Sequence, residues 1–146
     1  MKLKHIIKNI VVVGLLSAVS QTAEASADAN MMTFSGELRG ERYSTEVKGS
    51  FLTASSMLDL NTDSPRVNPS DAVRLARGGL LKAFGNQVEN LTVSSVSLDR
   101  MANTDQWFWS VSFSSTPRPT SYDRLVVVVL FDGSLILPAR EKGQSY

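Results

Sequence analysis

Residues 106–114 read QWFWSVSFS, and this stretch decides the fold. Four large apolar side chains on one parity alternate with an aromatic and three serines on the other: Trp107, Trp109, Val111 and Phe113 against Phe108, Ser110, Ser112 and Ser114. Successive side chains of a β-strand point to opposite faces, so this alternation predicts a strand with one buried face. Trp107 and Trp109 are then core residues rather than a stacking platform. Phe108, on the serine face, is the aromatic that we expect to be an exposed binding contact.

The segments on both sides of this strand continue a meander. Residues 125–131 are apolar at every position, which is typical of a central strand that is covered on both faces. Asp132 and Gly133 are typical of a tight turn between two strands. Residues 134–137 are predicted to form the second of these strands, which ends at Pro138. Before the tryptophan strand, the apolar residues of segment 88–101 change parity near Ser94 and Ser95, which predicts a β-bulge.

A helix is predicted ahead of this meander. Asn68 is a favourable N-cap, Pro69 suits the first helical position, and Asp71 places a carboxylate in the first turn. The apolar residues recur at helical spacing to about Phe84, and residues 85–86 (Gly-Asn) stop the helix. Two glycines interrupt the helix at 78 and 79. We interpret them as part of a small-residue track that lets the helix approach the sheet (Ala72, Ala76, Gly79 and Ala83); the alternative is a hinge or a ligand approach.

The first part of the chain predicts a β-hairpin. Apolar and polar residues alternate over 32–38 and 43–48, and residues 39–42 between them hold a glycine and three charges. Segment 51–60 fits either a short strand or a helical turn, because runs of four apolar residues do not distinguish the two.

This order of strand pair, helix and strand meander predicts an α+β fold with one amphipathic helix packed on a curved antiparallel sheet. Residues 68–138 resemble the small exported domains of the cystatin-like and PepSY-like group, in which a helix introduces a strand meander. The helix 68–84, the strand 107–113 and the hairpin 126–137 carry the resemblance. The Gln-x-Val-x-Gly loop of inhibitory cystatins does not occur, and residues 130–133 match only part of the closing PepSY pattern. The resemblance therefore implies a fold and no particular activity.

The beginning of the sequence predicts a secretory signal peptide. Residues 1–9 are basic, residues 10–19 form an apolar run too short to span a bilayer, and residues 25–27 (Ala-Ser-Ala) form a cleavage site. Cleavage is expected after Ala27, with Ala25 as a second candidate, and leaves a single domain over 28–146 with no integral membrane span. A retained signal anchor is the alternative. The expected location is the periplasm or the extracellular space.

Composition excludes most catalytic chemistry. The chain has no cysteine, and His5, its single histidine, lies inside the predicted signal peptide. Histidine-dependent and cysteine-dependent triads, zinc sites built from imidazole or thiolate, haem ligation and iron–sulfur ligation are therefore excluded for the mature chain. We expect no metal, no cofactor and no catalytic residue.

The charge balance argues against nucleic acid as a partner. Three of the 15 basic residues and one of the 14 acidic residues lie in the predicted signal peptide (Lys2, Lys4, Lys8 and Glu24), so the mature chain has a net charge of −1. Nucleic-acid binding depends on clustered Lys and Arg that neutralise phosphates, and this chain has no such run.

We therefore predict an exported, non-enzymatic binding, inhibitory or accessory module whose ligand is a protein or peptide. The candidate binding residues are Phe108 together with Arg118 and Tyr122 of loop 115–123, which two prolines stiffen. An ordinary solvated connection is the alternative interpretation of that loop.

Two other functions stay open at the level of sequence. The first is a carboxylate-based hydrolase that acts on cell-envelope polymer, with Glu37, Glu41 and Glu46 as its site, because glycoside cleavage needs paired carboxylates about 5 to 10 Å apart. The second is a purely structural envelope protein.

Overall fold

The computed structural model describes residues 30–52, 56–59, 61–115 and 122–143. Within them lie one α-helix and seven strands in an antiparallel sheet, which confirms the predicted α+β class. The elements in chain order are β1 (Met31–Leu38), β2 (Glu41–Lys48), α1 (Pro69–Phe84), β3 (Thr92–Arg100), β4 (Trp107–Ser114), β5 (Arg124–Val129), β6 (Leu135–Ile136) and β7 (Ala139–Arg140). Short 3-10 turns cover Gly49–Phe51 and Gly85–Val88. The predicted signal peptide, residues 1–27, lies outside the described residues.

The helix begins and ends where the sequence predicts. The Asn68 side chain accepts a hydrogen bond from the backbone N–H of Asp71 at 2.8 Å, and Pro69 is the first helical residue. At the other end Gly85 has a φ of 59° and its N–H donates to the Leu81 carbonyl oxygen. Both ends therefore follow from local backbone chemistry, since these caps satisfy groups that the helix leaves unpaired.

The sheet has the strand order β3-β4-β5-β1-β2-β7, and β6 pairs with β5. β5 meets β1 near its beginning, where Glu37 lies opposite Arg124, and meets β6 near its end. β6 is followed along the chain by β7, which pairs with β2. Five strands therefore form a ring in which each is paired with the next or follows it in the chain: β5, β1, β2, β7 and β6. The register of β3 against β4 shifts between Val93 and Ser95, which confirms the predicted bulge.

The helix covers one face of the sheet, as predicted. The odd-numbered residues of β4 and β5 form the sheet side of this core: Trp109, Val111, Phe113, Leu125, Val127 and Val129. On the helix side Ala72, Ala76 and Leu80 are buried. Ala72 and Ala76 therefore act as the predicted small-residue track, but Ala83 is exposed, so its assignment to that track is wrong.

The opposite face of β4 and β5 is covered too, and this corrects the prediction for Phe108. The open end of the β1–β2 hairpin packs there, and Phe34 meets Phe108 edge to face with ring centroids 6.3 Å apart. Val47 and Val128 belong to the same cluster, and Phe108 is 0% exposed. Alternation shows that a strand has two faces but not what covers the second one, so the expected exposure of Phe108 is wrong.

The hairpin approaches β5 closely at Gly36. A Cβ atom at this position would overlap the backbone carbonyl oxygen of Arg124. The second strand of the hairpin also contacts β5, because the Thr45 hydroxyl donates a hydrogen bond to the Val126 carbonyl oxygen at 2.6 Å. Glycine is the residue that permits such an approach of two backbones.

The two turns of the hairpins have the expected chemistry. Arg39 and Gly40 connect β1 to β2 with φ values of 53° and 80°, a shorter connection than the predicted four residues. Gly133, with a φ of 86°, follows Asp132 in the second turn. The Ser134 hydroxyl and backbone N–H both donate to the Asp132 carboxylate and hold the pKa of that group below its ordinary value.

Segment 51–60 forms no long regular element over its described residues. Met57 makes a single antiparallel bridge with Gln106, and the Leu58 N–H donates to the Asp105 carbonyl oxygen at 3.1 Å. Leu58 is buried in the helix-side core. Residues 53–55 and 60 lie outside the description. The described part of this segment therefore joins the end of the sheet through one bridge.

The two helix glycines differ in their surroundings, which gives a first prediction. No atom lies within 4 Å of a Cβ built at Gly78, whereas a Cβ at Gly79 would overlap the Leu135 side chain. Gly78→Ala should therefore raise the free energy of unfolding by about 0.5–1 kcal/mol, the difference in helix propensity. Gly79→Ala should stabilise the protein less than Gly78→Ala, or destabilise it, because the end of the Leu135 side chain must shift to make room for the methyl group. Urea unfolding of both variants measures this, and equal gains would contradict the packing described here.

Candidate binding site

β3 is an open edge of the sheet. It pairs with β4 on one side, and no described strand pairs with its other side, so backbone N–H and C=O groups are free along that edge. Sheet edges in natural proteins are usually guarded by lysine, proline, a bulge or covering elements. Here the bulge guards the beginning of β3, and its only charged residues, Asp99 and Arg100, lie at the end. Among the described residues, positions 95–98 therefore form a regular edge with no charged residue, proline, bulge or covering strand.

The two faces of this edge have different chemistry. Val96 and Leu98 lie opposite Val111 and Trp109 on the helix side, where they are half-buried against the core. Ser95 and Ser97 point to the other side and are exposed. An added strand would therefore meet apolar surface on one face and hydroxyl groups on the other.

Asp99 continues the hydroxyl side of the edge. It lies opposite Phe108 in the register, and its carboxylate accepts a short hydrogen bond from the Ser110 hydroxyl. Ser110 and Ser112 are only 7% and 6% exposed, so the hydroxyls that face solvent here come mainly from β3. The serine face of β4 is therefore largely buried and offers few hydroxyl groups to a ligand.

A hollow of about 590 Å³ opens at the end of β3, on the helix side. Its wall includes Trp107, and the Arg100 guanidinium lies over that ring, 5.7 Å from the centroid. The other lining residues come from the segment after Ser56 and from the β3–β4 turn: Met57, Leu58, Asp59, Asn61, Asp63 and Asp105.

The charge of the hollow is negative. Three carboxylates stand against one guanidinium, and within the described residues no salt bridge includes Asp59, Asp63 or Asp105. Asp59 and Asp63 accept backbone N–H groups of their own turn, from Asn61 at 3.0 Å and from Asp59 at 3.3 Å. In the part of the chain that the structure describes, no three acidic residues are grouped closely enough to hold a metal ion.

The loop candidates lie at the other end of β4. Tyr122 is 49% exposed, which agrees with a surface role. The base of its loop is closed by the Ser115 N–H, which donates to the Asp123 carbonyl oxygen at 2.9 Å. Arg118 lies outside the described residues, so its role stays a prediction. Phe108 is about 20 Å from the loop along β4, so the candidate residues Phe108 and Tyr122 do not share one surface.

The three glutamates proposed for hydrolysis lie on the first hairpin, on both of its faces. Glu46 lies opposite Thr33, four residues along β1 from Glu37, so these two backbone positions are about 13 Å apart. Glu41 points to the other face of the hairpin and forms an ion pair with Arg140 at 2.6 Å. Glycoside cleavage needs carboxyl groups about 5 to 10 Å apart, so Glu37 and Glu46 meet this requirement only if their side chains lean toward each other.

Sequence reasoning missed the hollow. Arg100 and Trp107 flank a short connection between two predicted strands, so pairing them across the hairpin was possible from sequence. Met57 and Asp59 gave no such signal, because only tertiary contacts bring them to the end of the sheet.

Comparison with known proteins gives no match for this chain: no family model, no curated protein and no solved structure matches it. The resemblance to cystatin-like and PepSY-like domains therefore stays a prediction. Of the residues that the structure describes, no helix has the length and apolar character needed to cross a membrane. The protein has a small α+β fold that is mostly sheet.

Proposed function

We propose that the protein is an exported, non-enzymatic binding module, inhibitory or accessory in role, that captures an extended segment of a protein or peptide by strand addition along β3. The observation that carries this proposal is the uncharged, unguarded edge at residues 95–98. In strand addition the main chain of the ligand forms the hydrogen bonds, and the side chains on alternate faces set the specificity.

The protein side of this edge is ordered before binding. β3 pairs with β4 from Thr92 to Arg100, interrupted only by the bulge at Ser94. β4 pairs in turn with β5, whose residues Leu125–Val129 are buried. The ligand alone then loses conformational entropy, about 1–2 kcal/mol for each backbone residue that becomes fixed. Each new hydrogen bond contributes about 0.5–1.5 kcal/mol, so the apolar contacts beside the edge must supply the remainder.

Export is part of the proposal and has its own test. The basic start, the apolar run and the Ala-Ser-Ala site of residues 1–27 support it. Mass spectrometry of the exported protein should give a chain that begins at Asp28. The full 146-residue chain in the exported fraction would contradict this part of the proposal.

A charge on the β3 edge should weaken capture, which gives a second prediction. Ser97→Lys places a solvated cation beside any added strand, as guarded natural edges do, and should weaken capture at least tenfold. Ser35→Lys is the matched control, because Ser35 is an exposed strand residue on β1, which has partners on both sides. Quantitative pull-down from envelope extract with the three proteins measures this. Equal capture by wild type and Ser97→Lys would refute the edge as the site.

Two further arms of the same experiment decide between the alternatives. Loss of capture in Tyr122→Ala, with Ser97→Lys unaffected, would move the site to loop 115–123. Turnover of envelope polymer that is lost in Glu37→Gln or Glu46→Gln would replace the binding function with hydrolysis.

A further inference from the structure

We infer that a second copy of this chain covers the β3 edge when no ligand is bound, by antiparallel pairing of the two β3 strands about Ser97, and that a captured segment must displace this copy. The inference adds regulation to the edge and rests on the proposed function for the displacement. Three features carry it: the bounds of the regular edge, the order of its side chains, and the positions of its charges.

The edge can pair with itself in few registers. In a two-fold antiparallel pair of strands, residue i faces residue j and residue j faces residue i. Both copies of helix α1 then lie on the same face of the joined sheet, so facing residues have the same parity. The bulge before Ser95 and the strand end at Arg100 limit regular pairing to residues 95–100. Two such registers pair five residues of each copy, one centred on Ser97 and the other on Leu98.

The order of the side chains is self-complementary about Ser97. In this register Val96 of each copy faces Leu98 of the other, so the two half-buried apolar side chains cover each other and leave water. On the other face the exposed Ser97 faces its own copy, and the exposed Ser95 hydroxyl faces the Asp99 carboxylate, to which it can donate a hydrogen bond. Apolar residues therefore face apolar residues, and polar residues face polar residues.

The charges favour the same register. When Asp99 faces Ser95, the two copies of Asp99 are offset by four residues, about 14 Å along the strand, and their repulsion is largely screened at physiological salt. In the register centred on Leu98, the two carboxylates would be offset by only about 7 Å. That register would also place the charged Arg100 opposite the apolar Val96.

Both partners of this pairing are ordered in advance. β4 holds β3 in each copy, so neither strand loses the backbone entropy that a flexible peptide loses on binding. The two-fold pairing satisfies both open edges at once and leaves no β3 edge for a third copy. Residues 95–99 on each side are far fewer than the about 20–30 residues of a stable interface. We therefore expect a weak dimer that a ligand strand can displace.

A single introduced cysteine tests the register, because the chain has none of its own. Ser97→Cys places two thiols opposite each other with Cβ atoms about 4.5–5.5 Å apart, close to the about 3.5–4.5 Å of a disulfide. Ser95→Cys is the matched control, an exposed serine on the same face of β3 whose two copies are about 14 Å apart. After mild oxidation of the full chain at equal concentrations, Ser97→Cys should give at least tenfold more covalent dimer on non-reducing electrophoresis.

Sedimentation equilibrium measures the pairing without a cross-link. The mass of the wild-type chain should approach twice that of the monomer at high concentration and return to the monomer on dilution, as a small interface predicts. Ser97→Lys should raise the dissociation constant of the dimer at least tenfold, because two like charges then face each other. Ser35→Lys, on a strand with partners on both sides, should leave that constant unchanged.

The cross-linked dimer tests the displacement. Oxidised Ser97→Cys should capture at least tenfold less partner from envelope extract than the same variant after reduction, because the ligand strand cannot reach the edge. Ser95→Cys, treated in the same way, should capture equally well in both states.

The outcomes separate this inference from the proposed function. A monomer at every concentration, or equal cross-linking of Ser97→Cys and Ser95→Cys, overturns the inferred pairing. If Ser97→Lys nevertheless loses capture, strand addition stands and only a different chain occupies the edge. Selective cross-linking of Ser97→Cys with unchanged capture after oxidation would overturn the displacement, and β3 as the capturing edge with it.

Discussion

Trp109→Ala is expected to lower the free energy of unfolding by about 3–5 kcal/mol, which is the range for removing a large aromatic side chain from a core. The indole lies between the sheet and helix α1, and its N–H donates to the Val67 carbonyl oxygen at 2.8 Å. This bond holds the segment before the helix against β4. Truncation therefore leaves a cavity and an unpaired carbonyl group at the same place.

Two comparisons separate packing from hydrogen bonding in this prediction. Trp109→Phe keeps much of the ring volume but cannot donate to Val67, so it should lose less than the alanine variant, about 1–3 kcal/mol. Tyr122→Ala and Arg118→Ala, in the loop 115–123, should each change stability by less than about 0.5 kcal/mol. Urea unfolding followed by tryptophan-independent far-ultraviolet circular dichroism measures all four. A similar loss in the loop variants and in Trp109→Ala would show that the loop is part of the folded core.

Phe108→Ala is expected to cost a similar amount, about 3–5 kcal/mol, for a different reason. Phe108 joins β4 to the hairpin through Phe34 and Val47, so its removal opens the second core rather than the helix-side core. Phe51→Ala is the matched control: the same substitution at a residue that is 45% exposed should cost less than about 1 kcal/mol.

The Phe108 result also decides between two views of this face. A large loss of stability with unchanged capture of the ligand agrees with a buried residue under the hairpin. A change below about 0.5 kcal/mol together with weaker capture would restore Phe108 as a surface contact, as the strand pattern alone suggests. Hydrogen exchange of the β1–β2 amides in Phe108→Ala should rise before that of helix α1, because the hairpin loses its anchor.

The sequence alone determines the local elements of this protein. Asn68, Pro69 and Gly85 set the ends of the helix because they satisfy or terminate backbone hydrogen bonding within a few residues. The alternation in 106–114 shows which residues of β4 share a face, since the pleat of the backbone imposes a period of two. The change of parity near Ser94 marks the bulge for the same reason.

The sequence does not determine what covers the serine face of β4. That depends on the close approach of Gly36 to β5 and on the Glu37–Arg124 pairing, and these partners are far apart along the chain. Alternation carries no information on such long-range contacts, so Phe108 is exposed in the sequence prediction and buried in the structure.

The candidate site also has one part that the sequence determines and another part that only tertiary packing decides. The open edge follows from the length and composition of β3 once its one partner is known, and the pairing of Arg100 with Trp107 follows from the short connection between β3 and β4. The hollow needs Asp59 as well, which reaches the end of the sheet through the Leu58–Asp105 hydrogen bond and the burial of Leu58. Local periodicity therefore determines the strand that presents the edge, whereas tertiary packing alone decides which charges stand at its end, because a residue outside any regular element has no period to predict its position.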